Sequence, residues 1–194
     1  NRVYIFPNAI ETERYRFSVE RRNEIRAKYH IGEKTCVGHV GRFMEQKNQL
    51  FLIDIFARYV LKNPKSVLLI VGDGELKSEL ISHIKTLHLE DSVIMTGNIN
   101  NVNEVYSAMD MFLLPSLFEG LPVVAVEAQA AGLPCLLSDR IDKRCKLTDD
   151  VAFFSIDEVD SWVEAMLKVN KQKRLLYCEK TIHLPGYDLK EEAA

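Results

Sequence analysis

Two hydrophobic rhythms alternate along the chain. Short, almost unbroken apolar runs, "TCVGHV", "SVLLIVG", "SVIMTG", "MFLLPS", "PCLLSD" and "VAFFS", read as strands. Between them, apolar residues return every three or four positions, as on one face of a helix. The first such segment carries Leu50, Ile53, Ala57 and Val60; the second carries Leu76, Leu80, Ile84 and Leu87, with Asp73 or Gly74 as its cap. Val102, Val105, Tyr106 and Met109 mark a third, and "PVVAVEAQAAG" a fourth, opened by Pro122 and closed by Gly132. A fifth follows the sixth strand, with Trp162, Met166 and Leu167 as its packing stripe. Strands that are apolar on both faces and separated by helices predict an α/β fold, an open parallel sheet with helices on both sides.

The ends follow neither rhythm. An apolar tract closing at Pro7 and the polar stretch after it read as a strand or linker, so residues 1–33 are expected to lead into a domain spanning 34–185. "KQKRLLYCEK" is helix-like, and Asp188 with Glu191 has capping-box spacing, which predicts a helix over 186–194 that has scarcely begun.

A length of 194 residues suits one domain with extra material. The formal charge of -3, from 25 basic and 28 acidic side chains, excludes a strongly basic nucleic-acid module but leaves room for a local anion site. Cys36, Cys135, Cys145 and Cys178 form no CxxC pair, which fits buried thiols in a reducing compartment. No run is long enough for a spanning helix or shaped like a signal peptide. His30, His83, His88 and His183 lack metal-ligand spacing, so no metal is expected. Ser116 and Ser138 lack the GxSxG turn of a serine nucleophile.

Open parallel sheets bind ligands beyond the carboxyl ends of their strands, and that is where the polar residues cluster. Gly41, Arg42 and Lys47 follow the first strand, a spacing that lets an arginine fork and a compact lysine charge approach one anion such as a diphosphate. Two solvated cations after a glycine turn are the plainer account. "GDGE" at 72–75 makes a tight turn, either structural or open to a ligand, without GxGxxG or GxxxxGK[ST] spacing. Gly97 and Asn98 add a second permissive turn. The densest cluster is "PSLFEGLPVVAVEAQAAG": Glu119 in the loop, Gly120 allowing close approach, Pro122 at the helix start and Glu127 in its second turn. As structural residues, Glu119 would complement a helix dipole and Glu127 would be exposed. Between Val126 and Ala128, however, Glu127 needs water or a polar partner. Paired carboxylates also admit a hydrolase, but the cations and the helix opening favour transfer from an anionic activated donor. His39 reads as a core or strand-end residue. Arg140, Lys143, Arg144 and Lys146 read as a solvated patch, and the acidic run at Asp149, Asp150, Glu158 and Asp160 as a solvated loop and helix start.

From Pro7 through Ser138, "PNAIE", "VGRFMEQKN", "IVGDGE", "VIMTGNINNVNEVYSAMDMFLLPS" and above all "FEGLPVVAVEAQAAGLPCLLSD" resemble glycosyltransferase family 4. Glu119 and Glu127 match the family's E-x7-E pattern. The resemblance implies the carboxyl-terminal, nucleotide-sugar-binding half of a two-domain GT-B fold, Rossmann-like, with an amino-terminal domain missing from this sequence. It implies retaining transfer of a sugar from a nucleotide-diphosphate sugar, with no metal or other cofactor. By the same resemblance Arg42 and Lys47 hold the diphosphate, Glu119 contacts the transferred sugar, and Glu127 contacts the ribose. The backbone at Gly41, Gly120, Leu121 and Val123 meets phosphate or sugar, and Gly97 with Asn98 approaches the base. A narrower similarity to bacterial capsular and exopolysaccharide enzymes implies saccharide or lipid-linked acceptors, a cytoplasmic location and peripheral contact with the inner membrane face. A nucleotide-sugar-binding module without transfer activity is the alternative. Two departures stand out: Asn48 where glycine is common, and "RIDKRC" after Asp139 in place of a GG segment.

Overall fold

The computed structural model describes residues 10–170. The tract ending at Pro7, the helix-like run 171–180, the helix start at Asp188, Cys178 and His183 lie outside the described residues.

Six strands, β1 (Thr35–Val40), β2 (Ser66–Val71), β3 (Val93–Met95), β4 (Met111–Leu114), β5 (Cys135–Ser138) and β6 (Val151–Phe154), form one parallel sheet in the order β3-β2-β1-β4-β5-β6. This is the Rossmann-like open sheet the sequence predicts. The order reverses between β1 and β4, which opens a crevice beyond their carboxyl ends.

Alternate strand residues feed two separate cores, which is why the strands read as continuous apolar runs. Cys36, Val40, Leu69, Phe112 and Leu137 face α5 (Val102–Ala108) and α6 (Val123–Ala130); Val37, Leu68, Leu113 and Leu136 face α3 (Gln49–Lys62), α4 (Lys77–Thr86) and α7 (Val159–Lys168). Gly38 lies beneath Met109: a Cβ there would come within 2.0 Å of the Met109 sulfur.

Several expected details shift. On α3 the fully buried apolar side chains are Leu52, Ile53, Ile55, Phe56 and Tyr59, while Leu50, Ala57 and Val60 sit at the margin of the core. On α7 Val163 joins Trp162 and Met166, and Leu167 points outward. Asp73 does not cap α4, which starts after Leu76 without a side-chain cap; the Asp73 carboxylate instead accepts from Gly74 N–H and Lys77 Nζ.

The polar stretch before Lys34 is helical. α1 (Thr12–Tyr15) and α2 (Val19–Lys28) precede β1, and Ser18 caps α2 by accepting from Arg21 N–H at 3.2 Å. Arg22 and Arg26 reach from α2 to the carboxyl end of α5. Arg22 donates to the Ser107, Ala108 and Met109 carbonyls, and Arg26 to the Ala108 carbonyl. Both also meet the buried Asp110 carboxylate, at 2.6 and 3.5 Å, and Cys36 N–H donates to the same group at 2.7 Å. Two cations thus complement the negative end of α5 and fix α2 to the domain. The sequence pattern misses this contact because α2 has no strong apolar face.

Candidate functional site

At the carboxyl edge of the sheet, the loops after β1, β2 and β3 enclose a cleft of about 480 Å³. Val40, Gly41 and Arg42 line one wall, Gly72, Asp73 and Gly74 the floor, and Asn98, Ile99 and Val102 the other wall. The floor requires glycine. Gly72 has φ +138°, and a Cβ there would lie 2.1 Å from the Gly41 carbonyl oxygen; one at Gly74 would lie 2.3 Å from the Phe43 oxygen. The GDGE turn therefore lets the loops after β1 and β2 touch backbone to backbone. Gly97, also at positive φ, accepts from Gly72 N–H at 3.1 Å and ties the β3 loop to the same floor.

Arg42 and Lys47 diverge in this structure. The Arg42 side chain is largely exposed and lies 3.4 Å from Glu75 across the cleft mouth. Lys47 ends a 3-10 turn, Glu45–Lys47, and its stem crosses Gly41, whose Cβ position is 3.6 Å from Lys47 Cδ and Cε. Its ammonium donates to Glu119 Oε1, which also accepts from Ser116 Oγ at 2.9 Å. Lys47 and Glu119, 72 residues apart in sequence, are thereby paired and mostly buried beside the β1–β4 reversal.

Asn48 follows Lys47 with φ +54°, the left-handed conformation that glycine adopts freely and asparagine tolerates better than most residues. Its side chain donates to the Pro115 carbonyl at 3.2 Å. Asn48 thus keeps the backbone geometry glycine would give and adds a tie to the β4 loop. The segment "RIDKRC" supports Glu119 from below: Asp142 N–H donates to the Glu119 carbonyl at 3.1 Å, and Asp142 caps the turn Lys143–Cys145. Hydrogen bonds from Arg144 hold the Asp142 carboxyl down at about 2.

α6 begins at Val123 after Pro122 with no side-chain cap, so its first N–H groups have no intrahelical acceptor and favour an anion. Gly120 is exposed at this opening, while Leu121 and Val123 turn their side chains toward the cores. Glu127 is half-buried and finds the polar partners its apolar neighbours demand: Tyr15 OH donates to Oε1 at 2.6 Å and Tyr106 OH to Oε2 at 2.7 Å. Glu119 and Glu127 therefore belong to different hydrogen-bond sets. Neither is among the residues lining the cleft, nor are Lys47, Gly120, Leu121 and Val123.

Several supporting residues escaped the sequence reading. Gln49, fully buried, donates through Nε2 to the Arg42 carbonyl at 2.8 Å and to His39 Nε2, fixing the backbone that presents Arg42. His39 donates from Nδ1 to the Leu113 carbonyl, and burial pushes its pKa down to about 4, so it is the neutral core histidine the sequence suggested. Gln129, also fully buried, bonds the Ala125 and Cys145 carbonyls through Nε2 and accepts from the Leu147 and Thr148 N–H groups, anchoring the loop after β5 to α6. For Gln129 the sequence signal is a glutamine in an apolar run; Gln49 follows polar residues at the head of one and gives no such signal. The basic patch is exposed, as the sequence suggests: Arg140, Lys143, Arg144 and Lys146 all face solvent, with Arg140 3.8 Å from Asp157, Arg144 bonded to Asp142 and Lys143 3.8 Å from the Phe153 ring centroid. Among the described residues, no group of three His, Cys, Asp or Glu is arranged to hold a metal, and no helix is long and apolar enough to cross a membrane.

Comparison with known proteins agrees with this architecture. Residues 21–180 match the family described as glycosyl transferases group 1. EpsF of Bacillus subtilis is 33% identical over 196 residues, 98% of this chain and 51% of its own length. The UDP-Gal:alpha-D-GlcNAc-diphosphoundecaprenol alpha-1,3-galactosyltransferase of Escherichia coli is 32% identical over 183 residues, 90% of this chain and 46% of its own. The chain thus spans about half the length of these relatives. Among solved structures, Anabaena Alr3699/HepE in complex with UDP-glucose superposes with a TM-score of 0.77 at 20% identity, over 90% of this chain and 50% of that one. The fold is that of one half of a GT-B glycosyltransferase, and the chain belongs to the glycosyl transferases group 1 family.

Proposed function

We propose that residues 34–185 form the donor-binding domain of a retaining family 4 glycosyltransferase, joined through residues 1–33 to an amino-terminal domain that presents the acceptor. The donor is a nucleotide-diphosphate sugar, bound without a metal. The acceptor is a saccharide or lipid-linked saccharide, in cell-surface polysaccharide synthesis on the cytoplasmic side of the membrane. The observation that carries this reading is the buried Lys47–Glu119–Ser116 set beside the Gly41–Arg42 cleft and the uncapped start of α6. It is supported by relatives whose names specify a UDP-sugar and an undecaprenyl diphosphate acceptor, or a complex with UDP-glucose.

In this reading the nucleotide lies across the cleft with its base toward Gly97 and Asn98 and its ribose on Glu127. The bond between the anomeric carbon and the diphosphate oxygen breaks, and the electron pair leaves on the diphosphate. Arg42, Lys47 and the α6 N–H groups stabilise that growing charge in a site partly shielded from water. The acceptor oxygen bonds to the anomeric carbon on the same face, and its proton passes to the departing phosphate. Glu119, oriented by Lys47 and Ser116, accepts hydrogen bonds from the transferred sugar.

Mass-spectrometric screening of the full-length protein with nucleotide sugars and membrane-derived acceptors tests the reading. Arg42→Ala and Lys47→Ala should each lower kcat/KM about 10- to 100-fold, as loss of a charge-assisted hydrogen bond implies, and Glu127→Ala should mainly weaken nucleotide binding. Failure of the active protein to release nucleotide with any acceptor, or unchanged kinetics in all three variants, rejects it.

A further inference from the structure

Glu127 sits on α6 between Val126 and Ala128, both fully buried, so its backbone is fixed while its side chain has three rotatable bonds. Two phenols remove that freedom, one on each carboxylate oxygen. Tyr106 is itself fully buried on α5, with its ring 6.0 Å from Phe112. Tyr15 comes from the other side, at the end of α1, and meets the Tyr106 ring edge-on at 5.9 Å. Its position is secured on both flanks: Asn103 Nδ2 donates to the Arg14 carbonyl at 3.1 Å, and Ser18 N–H donates to Ser107 Oγ at 3.3 Å. Burial and the neighbouring carboxylate push both phenols above their ordinary range, so they stay protonated and act as donors. A carboxylate oxygen accepts two hydrogen bonds, and each Glu127 oxygen keeps a lone pair after meeting its tyrosine.

We propose that Tyr15 and Tyr106 are positioning residues that hold the Glu127 carboxylate ready for a nucleotide ribose, Tyr15 doing so from the segment that leads into the domain. The proposal rests on the reading of Glu127 as the ribose contact. Its physical content is preorganisation: a carboxylate already held by two donors loses little side-chain freedom when the ribose hydroxyls bind. The nucleotide site then depends on the placement of α1, which lies outside the six-stranded sheet.

The test compares UDP with 2′,3′-dideoxy-UDP, and GDP with 2′,3′-dideoxy-GDP, by calorimetry on the full-length protein, pursuing whichever pair binds. Tyr15→Phe and Tyr106→Phe should each weaken the ribonucleotide about five- to tenfold, the effect of losing one hydrogen bond, while leaving the dideoxy form within about twofold. Glu127→Gln should abolish most of the preference for the ribonucleotide. Should Glu127→Gln abolish it while Tyr15→Phe and Tyr106→Phe keep it intact, the positioning role falls and the ribose contact stands. Should Glu127→Gln retain the preference, both fall. Equal weakening of ribo and dideoxy forms by the tyrosine variants would reduce the tyrosines to structural residues and overturn the proposal.

Discussion

Asp110 offers the sharpest test of what holds the leading helices to the sheet. It lies at the amino end of β4, 5% exposed, and its carboxylate collects Arg22, Arg26 and Cys36 N–H. In Asp110→Asn the shape is kept but the negative charge goes, and one remaining oxygen cannot serve all three donors. Arg22 retains 21% side-chain exposure and can recover some hydration, whereas Arg26 at 9% cannot. Arg26 would keep only carbonyl partners at Gly32, Lys34 and Ala108. Leaving one member of a buried pair uncompensated costs about 3–5 kcal/mol, and the partial hydration of Arg22 places the loss near the lower figure. For a chain of this size a loss of about 3 kcal/mol lowers Tm by roughly 6–12 °C. Urea denaturation and thermal circular dichroism measure both quantities. The loss should persist in about 0.5 M salt, because a buried pair is poorly screened. The double variant Arg26→Met with Asp110→Leu should lose less than the sum of the single variants, since the most buried cation goes together with its carboxylate and only the partly hydrated Arg22 is left unpaired. A loss below about 1 kcal/mol for Asp110→Asn, or simple additivity of Arg26→Met and Asp110→Leu, would refute the reasoning.

Three further outcomes follow from the same structure. Gln129→Leu should cost about 2–3 kcal/mol and raise amide hydrogen exchange at Leu147 and Thr148, whose N–H groups lose their acceptor; unchanged protection there would show that the loop is held by other contacts. His39 is neutral in the fold with a pKa of about 4 against 6.5 unfolded, so the unfolded chain binds more protons between those values and stability falls as pH drops from about 6.5 to 4. The difference in stability between the wild type and His39→Gln should change by up to roughly 3 kcal/mol across that window, and a pH-independent difference would exclude the effect. Gly72→Ala combines a forbidden φ with a 2.1 Å contact to Gly41, and should cost at least about 2 kcal/mol while disrupting the cleft, read as lost nucleotide affinity in the folded fraction; wild-type stability in this variant would show that the floor relaxes freely.

The strands were legible because each is a short, nearly continuous apolar run, and such runs separated by helices point to a parallel sheet covered on both faces. The helices were legible in kind but less so in phase. α3 is apolar almost all round, so periodicity located its buried stripe only within about a third of a turn. α2 gave no signal at all: it docks through Arg22 and Arg26, and arginines in a polar stretch look the same whether they face water or a buried aspartate.

Residue types and spacing alone placed an arginine, a lysine, two glutamates and three glycine turns at the carboxyl edge of a parallel sheet, because that edge is where strand-to-helix loops must lie. Only the tertiary structure decided who meets whom. The reversal of strand order between β1 and β4 brings Lys47 to Glu119, 72 residues away, and leaves Arg42 facing Glu75. The docking of α1 against α5 and α6 delivers Tyr15 to Glu127 across 112 residues. Sequence determines local conformation through short-range sterics and burial, but such pairings depend on chain crossings that local spacing does not encode.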